Sequence, residues 1–177
     1  IPHMLNLDHC QIESTDDTLL PVAFSENLKV MSIGFMLRER SEALIWRGPM
    51  KYGVIRQFLK DVEWGKLDYL VVDSPPGTGD EPLTVAQTIK DARAVIVTTP
   101  QEIALADVRK SINFCKTVDM NIFGLVENMS GFACPHCNEM IELFGTGGGE
   151  RTAKQMGIDF LGSIPFDPKV VACGDTG

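Results

Sequence analysis

From Asp68 onward the chain alternates short, continuously apolar runs with stretches of helical spacing. This alternation restricts the fold more than any other feature. Asp68-Tyr69-Leu70-Val71-Val72-Asp73 is a strand of the kind buried on both faces. Residues 81–91 read as a helix, with Asp80 placed as its N-cap. Residues 92–98 are a strand. Residues 103–118 are a helix that turns Ile103, Leu105, Ala106, Val108, Ile112 and Phe114 inward. Residues 121–126 are a strand, 150–156 a short helix closed by Gly157, and 160–164 a last strand stopped by Pro165. Continuous apolar strands between amphipathic helices predict an α/β fold: a mostly parallel, doubly wound sheet with helices on both faces. Each crossover is expected to be right-handed.

Upstream, residues 20–24 and 28–35 read as short strands split by a turn at Ser25-Glu26-Asn27. Asp16-Asp17 marks a turn and Trp46-Arg47-Gly48-Pro49 a loop. Residues 50–62 carry Val54, Ile55, Phe58, Leu59 and Val62 at helical spacing. At 177 residues, with no internal repeat, the chain is expected to be a single domain over 1–177.

The apolar share of 44% and charged share of 23% are those of a soluble globule. A net charge of −8 without any Lys/Arg run argues against nucleic-acid binding. No apolar stretch approaches the roughly 20 residues of a membrane helix, so no membrane partner is expected. Ile1-Pro2-His3-Met4 shows no basic region followed by an apolar core, so no signal peptide is expected. Five cysteines with one close pair suit a reducing compartment better than a disulfide framework, which predicts a cytoplasmic protein.

Two motifs carry chemistry. The first, Asp73-Ser74-Pro75-Pro76-Gly77-Thr78-Gly79-Asp80, follows an apolar strand, at the end where parallel sheets gather ligands. An acid in that place holds Mg²⁺ in P-loop nucleotide hydrolases. The prolines stiffen the turn, and Gly77 and Gly79 let backbone N–H groups approach a phosphate. An apolar strand followed by Asp serves equally well as a capped turn, but the full string is far more specific.

The second motif is Cys134-Pro135-His136-Cys137, just after the strand ending Gly124-Leu125-Val126-Glu127-Asn128-Met129. A closed thiolate site needs four sulfurs, and the pair supplies two. A thioredoxin-like redox pair opens a helix after a first βαβ strand, whereas this one sits late, in a Gly- and Pro-bearing loop. Half of a zinc ribbon would need a second pair, and none follows. The remaining reading is a two-plus-two site across a twofold axis, with four thiolates for a [4Fe–4S] cluster or one Zn²⁺. His136 reads as a solvent-facing spacer and Cys115 as a core residue. Cys10 and Cys173 receive no role.

From Trp46 to Asp167 the chain resembles the Mrp-type iron–sulfur carrier branch of the MinD-like deviant P-loop ATPases. The matching stretches are Trp46-Arg47-Gly48-Pro49, the run from Leu67 to Asp80, Val97-Thr98-Thr99-Pro100-Gln101, Val126 to Phe132 with the cysteine pair, and Gly162 to Pro168. The resemblance implies a homodimer that binds ATP with Mg²⁺, hydrolyses it slowly, holds a labile [4Fe–4S] cluster and passes it to apo iron–sulfur proteins. It implies Asp73 as the magnesium-linked acid and Gly77 as part of the γ-phosphate-sensing loop, the catalytic pair. It also implies Asn128 as the adenine-reading residue, Pro165 in the segment lining the base, and Cys134 and Cys137 as the metal ligands. Zn²⁺ can occupy the same thiolates in material purified in air. The alternatives are a MinD-like ATPase regulator, which would need a basic amphipathic C-terminal helix, and a structural zinc-binding dimer with a degenerate nucleotide site.

One departure stands out. The phosphate-binding string Gly-x-x-x-x-Gly-Lys-Ser/Thr is missing, and the glycine run Gly145-Thr146-Gly147-Gly148-Gly149-Glu150-Arg151 has no lysine and follows no strand. In the family the P-loop lies upstream on the first strand. The chain therefore reads as N-terminally truncated by on the order of a hundred residues, with the missing strand beside that of Asp73.

Overall fold

The computed structural model describes residues 1–15, 18–37 and 48–177. The expected turn at Asp16-Asp17 and the Trp46-Arg47 half of the expected loop lie outside the described residues. The chain divides into two compact units, residues 1–74 with 169–177, and residues 75–168.

In the first unit, β1 (Glu13–Ser14) pairs antiparallel with β2 (Leu19–Leu20), and β3 (Val22–Ser25) with β4 (Leu28–Val30). The second pair is the hairpin expected around Ser25-Glu26-Asn27. Its return strand stops early. Ser32 Oγ accepts the Gly34 N–H at 3.2 Å, and Ile33–Met36 coils into a 3-10 turn instead of continuing the strand. Leu7, Val30 and Phe35 form a small core, with Cys10 packed at its margin. Helix α1 (Gly48–Lys60) begins at Gly48-Pro49, read from sequence as loop; proline is tolerated in a first helical turn, where its missing N–H has no partner to lose. Beyond α1, Leu19 N–H donates to Asp61 O at 2.8 Å and Glu63 N–H to Leu19 O at 2.9 Å.

Residues 68–73, read as a buried strand, join no ladder among the described residues. Tyr69 and Val71 are 88% and 87% exposed. An apolar run tells what a segment can bury, but a strand exists only where a neighbour takes its N–H and C=O groups.

In the second unit, α2 (Asp80–Thr88) starts at Asp80 itself. Gly79, not Asp80, is the N-cap, and Asp80 instead offers its main-chain oxygen to Thr84 Oγ1 at 2.6 Å. Asp80 and Glu81 still place negative charge in the first turn, which favours the helix N-terminus. Next come β5 (Arg93–Thr98), α3 (Glu102–Thr117), β6 (Asn121–Asn128), the short antiparallel pair β7 (Phe132–Ala133) and β8 (Met140–Ile141), α4 (Gly148–Met156) and β9 (Phe160–Ile164). Strands β5, β6 and β9 form a parallel sheet in that order, so the expected α/β architecture is present. A last helix, α5 (Pro168–Thr176), follows β9 in sequence.

The main core lies between this sheet and α3 and α4: Ile96, Val108, Ile112, Cys115, Leu125 and Ala153. Leu105, Val108, Ile112 and Cys115 recur at three- and four-residue steps and make one buried stripe of α3. Ile103 and Ala106, expected inside, are exposed, Ile103 at 79%. Two residues along a helix is about 200° of rotation, so Leu105 inside sends Ile103 outward. On the other face of the sheet Val95, Val97, Phe123 and Leu161 are 53%, 58%, 53% and 44% exposed.

Candidate functional site

The carboxyl ends of β6 and β9 bring two of the expected residues side by side. Asn128 pairs in register with Ile164, and Pro165 is the next residue. The Asn128 side-chain oxygen accepts the Met129 N–H at 2.9 Å, and Met129 turns there with φ 57°. That bond fixes the plane of the carboxamide. An amide oxygen has a second lone pair and the NH₂ two donors, so the group can accept and donate toward one flat ligand edge. The ladder continues past the strand ends: Ser130 N–H donates to Ile164 O at 2.9 Å and Phe166 N–H to Gly131 O at 2.8 Å.

Behind Asn128 stands a residue that no sequence motif marks out. Glu127 is fully buried at the end of β6. Its carboxylate accepts from Ser130 Oγ at 2.6 Å, from Gly147 N–H at 2.9 Å and from Gly149 N–H at 2.5 Å. Burial alone would raise its pKa; the Ser130 hydroxyl, the Gly149 and Gly147 amides and the Arg151 charge outweigh that and hold it below the usual glutamate value. The glycine run therefore enters α4 with an internal anion already on its amides, the arrangement a helix N-terminus favours. Glycine is required there by space. A Cβ on Gly149 would stand 2.9 Å from Leu125 Cδ2, and one on Gly148 2.7 Å from Leu105 Cδ1. The available signal was Glu127 at an inward position of an apolar strand, two residues after Leu125, where a carboxylate must find donors.

Strands β7 and β8 form a hairpin whose loop is Cys134-Pro135-His136-Cys137-Asn138-Glu139. Cys134 N–H donates to Glu139 O at 2.9 Å and Asn138 N–H to Cys134 O at 2.8 Å, with Asn138 at φ 58°. The His136 N–H, then the Cys137 N–H, then the Cys137 thiol hydrogen-bond to the Cys134 sulfur and lower its pKa. Cys134 is half-buried and Cys137 exposed, and all five cysteines are free thiols. Burial raises the Cys115 pKa and keeps that thiol protonated in the core. Cys10 and Cys173 are likewise apart from the pair in sequence, on residues of the first unit. Among the described residues no cluster of three or more His, Cys, Asp or Glu is placed to hold a metal ion.

The Asp73–Asp80 string is divided between the two units. Asp73 and Ser74 belong to the first, Pro75 to Asp80 to the second. Asp73 is exposed, and a carboxylate is a hard oxygen donor of the kind magnesium prefers. Gly77 is exposed with φ 105°, a conformation that favours glycine, and a Cβ there would meet nothing within 4 Å. Among the described residues no helix is long and apolar enough to cross a membrane.

A ParA-type family model, the NUBPL iron-transfer P-loop NTPase, matches residues 1–177. The iron-sulfur cluster carrier protein of Methanocaldococcus jannaschii is 49% identical over 178 residues, covering 100% of this chain and 61% of that protein. The cytosolic Fe-S cluster assembly factor Nubp2 homolog of Anopheles gambiae is 49% identical over 182 residues, covering 100% of this chain and 70% of that protein. The chain thus spans 61% to 70% of the length of these relatives. The nucleotide-binding protein of Archaeoglobus fulgidus, solved in complex with ADP and with Co, superposes with a TM-score of 0.82 at 41% identity, covering 99% of this chain and 68% of that one. The MinD cell division protein of Aquifex aeolicus superposes at 0.50 with 18% identity over 76% of this chain and 52% of its own, a likeness of fold alone. The family read from the motifs is borne out, and the chain belongs to the NUBPL-type iron-transfer P-loop NTPases.

Proposed function

We propose that this protein is an ATP-dependent carrier that takes up a [4Fe–4S] cluster as cargo between two copies of itself and hands it to apo iron–sulfur proteins in the cytoplasm. The observation behind this reading is the cysteine hairpin. It holds two sulfurs together in an open loop, with backbone N–H groups turned onto one of them. Thiolate is the form that binds iron, and N–H donors on sulfur favour it. Two sulfurs from each of two copies complete a four-thiolate set around a twofold axis. A cluster held at such a loop is open to solvent and to an acceptor.

Nucleotide takes the strand ends. Asn128 and Pro165 read and line the adenine, since a fixed carboxamide can accept from and donate to one edge of a flat base. Asp73 would hold Mg²⁺, which supplies charge neutralisation for the phosphates. Backbone amides of the Gly77 loop meet the γ-phosphate. Its loss relaxes that loop, as in other nucleotide switches, so hydrolysis is a slow gate on cluster release.

Anaerobic reconstitution with iron and sulfide tests the reading. The chain should form a brown dimer with the broad visible absorption of thiolate-bound clusters. Cys134→Ser with Cys137→Ser should abolish the colour while far-UV circular dichroism stays unchanged. A double variant that holds iron as the parent does would remove the carrier reading, and zinc alone in the parent would favour a structural metal. In a full-length protein that carries the P-loop, Asp73→Ala should lower Mg-dependent hydrolysis and leave cluster binding intact.

A further inference from the structure

The hairpin that carries Cys134 and Cys137 pairs with no third strand among the described residues, and its loop is exposed from Pro135 to Glu139. Its position is therefore set at its root, residues 130–132. That root is held from two sides. On one, Ser130 gives its hydroxyl to the buried Glu127 at 2.6 Å. On the other lies the segment around Pro165. Ser130 N–H bonds Ile164 O at 2.9 Å, and Phe166 N–H bonds Gly131 O at 2.8 Å. The Phe166 ring meets Phe132 edge to face, with centroids 5.9 Å apart and planes at 77°. Phe132 opens β7, and Cys134 follows two residues later. Gly131, between them, is buried at φ 75°, and a Cβ there would lie 2.8 Å from Met140 Cε on the returning strand. The root has no slack in which to shift by itself.

We propose that Phe166 is a positioning residue for the Cys134/Cys137 pair: through the Gly131 carbonyl and the Phe132 ring it holds the hairpin root against the segment that carries Pro165. The inference rests on the reading above, in which Pro165 lines a base and the sulfurs grip a cluster. It adds the physical link between them. A ligand stacked on Pro165 orders the residue next to Phe166, and Phe166 in turn sets how freely the thiolate loop moves.

The test uses the full chain and two substitutions. Phe166→Leu keeps apolar volume and the backbone hydrogen bond but removes the ring edge; Phe166→Tyr keeps the ring. An edge-to-face aromatic pair is worth about a two- to tenfold change in an equilibrium. Amide hydrogen exchange is read by NMR at Cys134 and Asn138, whose N–H groups close the loop. Phe166→Leu should speed exchange there by about two- to tenfold. Phe166→Tyr should restore the parental rate, and amides of Leu105 and Ile112 on α3 should not change. Cobalt(II) serves as the metal probe, and its thiolate absorption bands should titrate with a two- to tenfold weaker affinity in Phe166→Leu. Parental exchange at Cys134 and Asn138 in Phe166→Leu overturns the proposal, as does an acceleration shared by α3 or by Phe166→Tyr. A parent chain that shows no thiolate bands with cobalt overturns the carrier reading instead, and the exchange rates then still decide the role of Phe166.

Discussion

Replacing Glu127 by Gln is the sharpest test of how the site is held together. The change keeps shape and volume and removes one charge. Glu127 is fully buried and accepts three hydrogen bonds, at 2.6, 2.9 and 2.5 Å. Hydrogen bonds to a charged acceptor contribute about 1.5–3 kcal/mol each. Glutamine has one oxygen, and its NH₂ would face a donor, leaving at least one amide of the glycine loop unsatisfied at a cost of about 1–3 kcal/mol. The expected loss is about 2–4 kcal/mol, a large part of a typical stability of about 5–15 kcal/mol. The pH dependence carries a second signature. The folded-state pKa of Glu127 lies below its ordinary value, because the Ser130, Gly149 and Gly147 donors and Arg151 outweigh burial. A depressed carboxylate pKa gives stability that is fully present above the unfolded value of about 4.3 and is lost as pH falls through the folded value. Glutamine does not titrate, so the gap between parent and variant should be widest near neutrality and narrow below about pH 4. Urea unfolding followed by circular dichroism, at several pH values from about 7 to about 3, measures both effects. A gap under about 1 kcal/mol at neutrality, or one that stays constant into acid, would refute the argument.

Three further outcomes follow from the same geometry. Gly148→Ala should destabilise by at least about 1–3 kcal/mol in urea unfolding, because the added Cβ overlaps the Pro100 carbonyl and crowds Leu105, whereas Gly53→Ala on α1, where nothing lies within 4 Å, should stabilise by about 0.5–1 kcal/mol. Leu105→Ala should cost about 2–5 kcal/mol in the same assay and Ile103→Ala under about 0.5 kcal/mol, since Leu105 is fully buried and Ile103 faces solvent. Mass-mapped alkylation across neutral pH should label Cys134 well before Cys115, whose thiol is buried with a raised pKa; equal rates would contradict the hairpin's hydrogen bonds to sulfur.

The alternation of β5, α3, β6, α4 and β9 was legible because both faces of the information agree. Apolar runs of strand length are separated by stretches with one buried stripe, and Gly157 closes α4 at φ 67° where a C-terminal glycine is expected. Periodicity could not tell which strand pairs with which, and residues 68–73 show the cost of that. Ile103 was misplaced for a related reason: apolar character alone does not fix the helix phase, and Cys115 rather than Ile103 completes the buried stripe. Asn128 and Pro165 were singled out by the motifs they stand in, and the parallel register places them side by side. The β7–β8 hairpin went unseen because strands of two residues carry no period. Glu127 went unseen because a buried acid is recognised by its donors, and the two glycine amides among them come from a loop 20 and 22 residues away in sequence.

Each chain carries two sulfurs in the cysteine loop, and under the proposed two-copy site that number would set how loading responds to abundance. If two copies supply the four ligands, occupancy rises with the square of the free protein concentration, so dilution alone favours unloading. Expression level would then tune how much cluster is held, with no change in any residue or in redox poise.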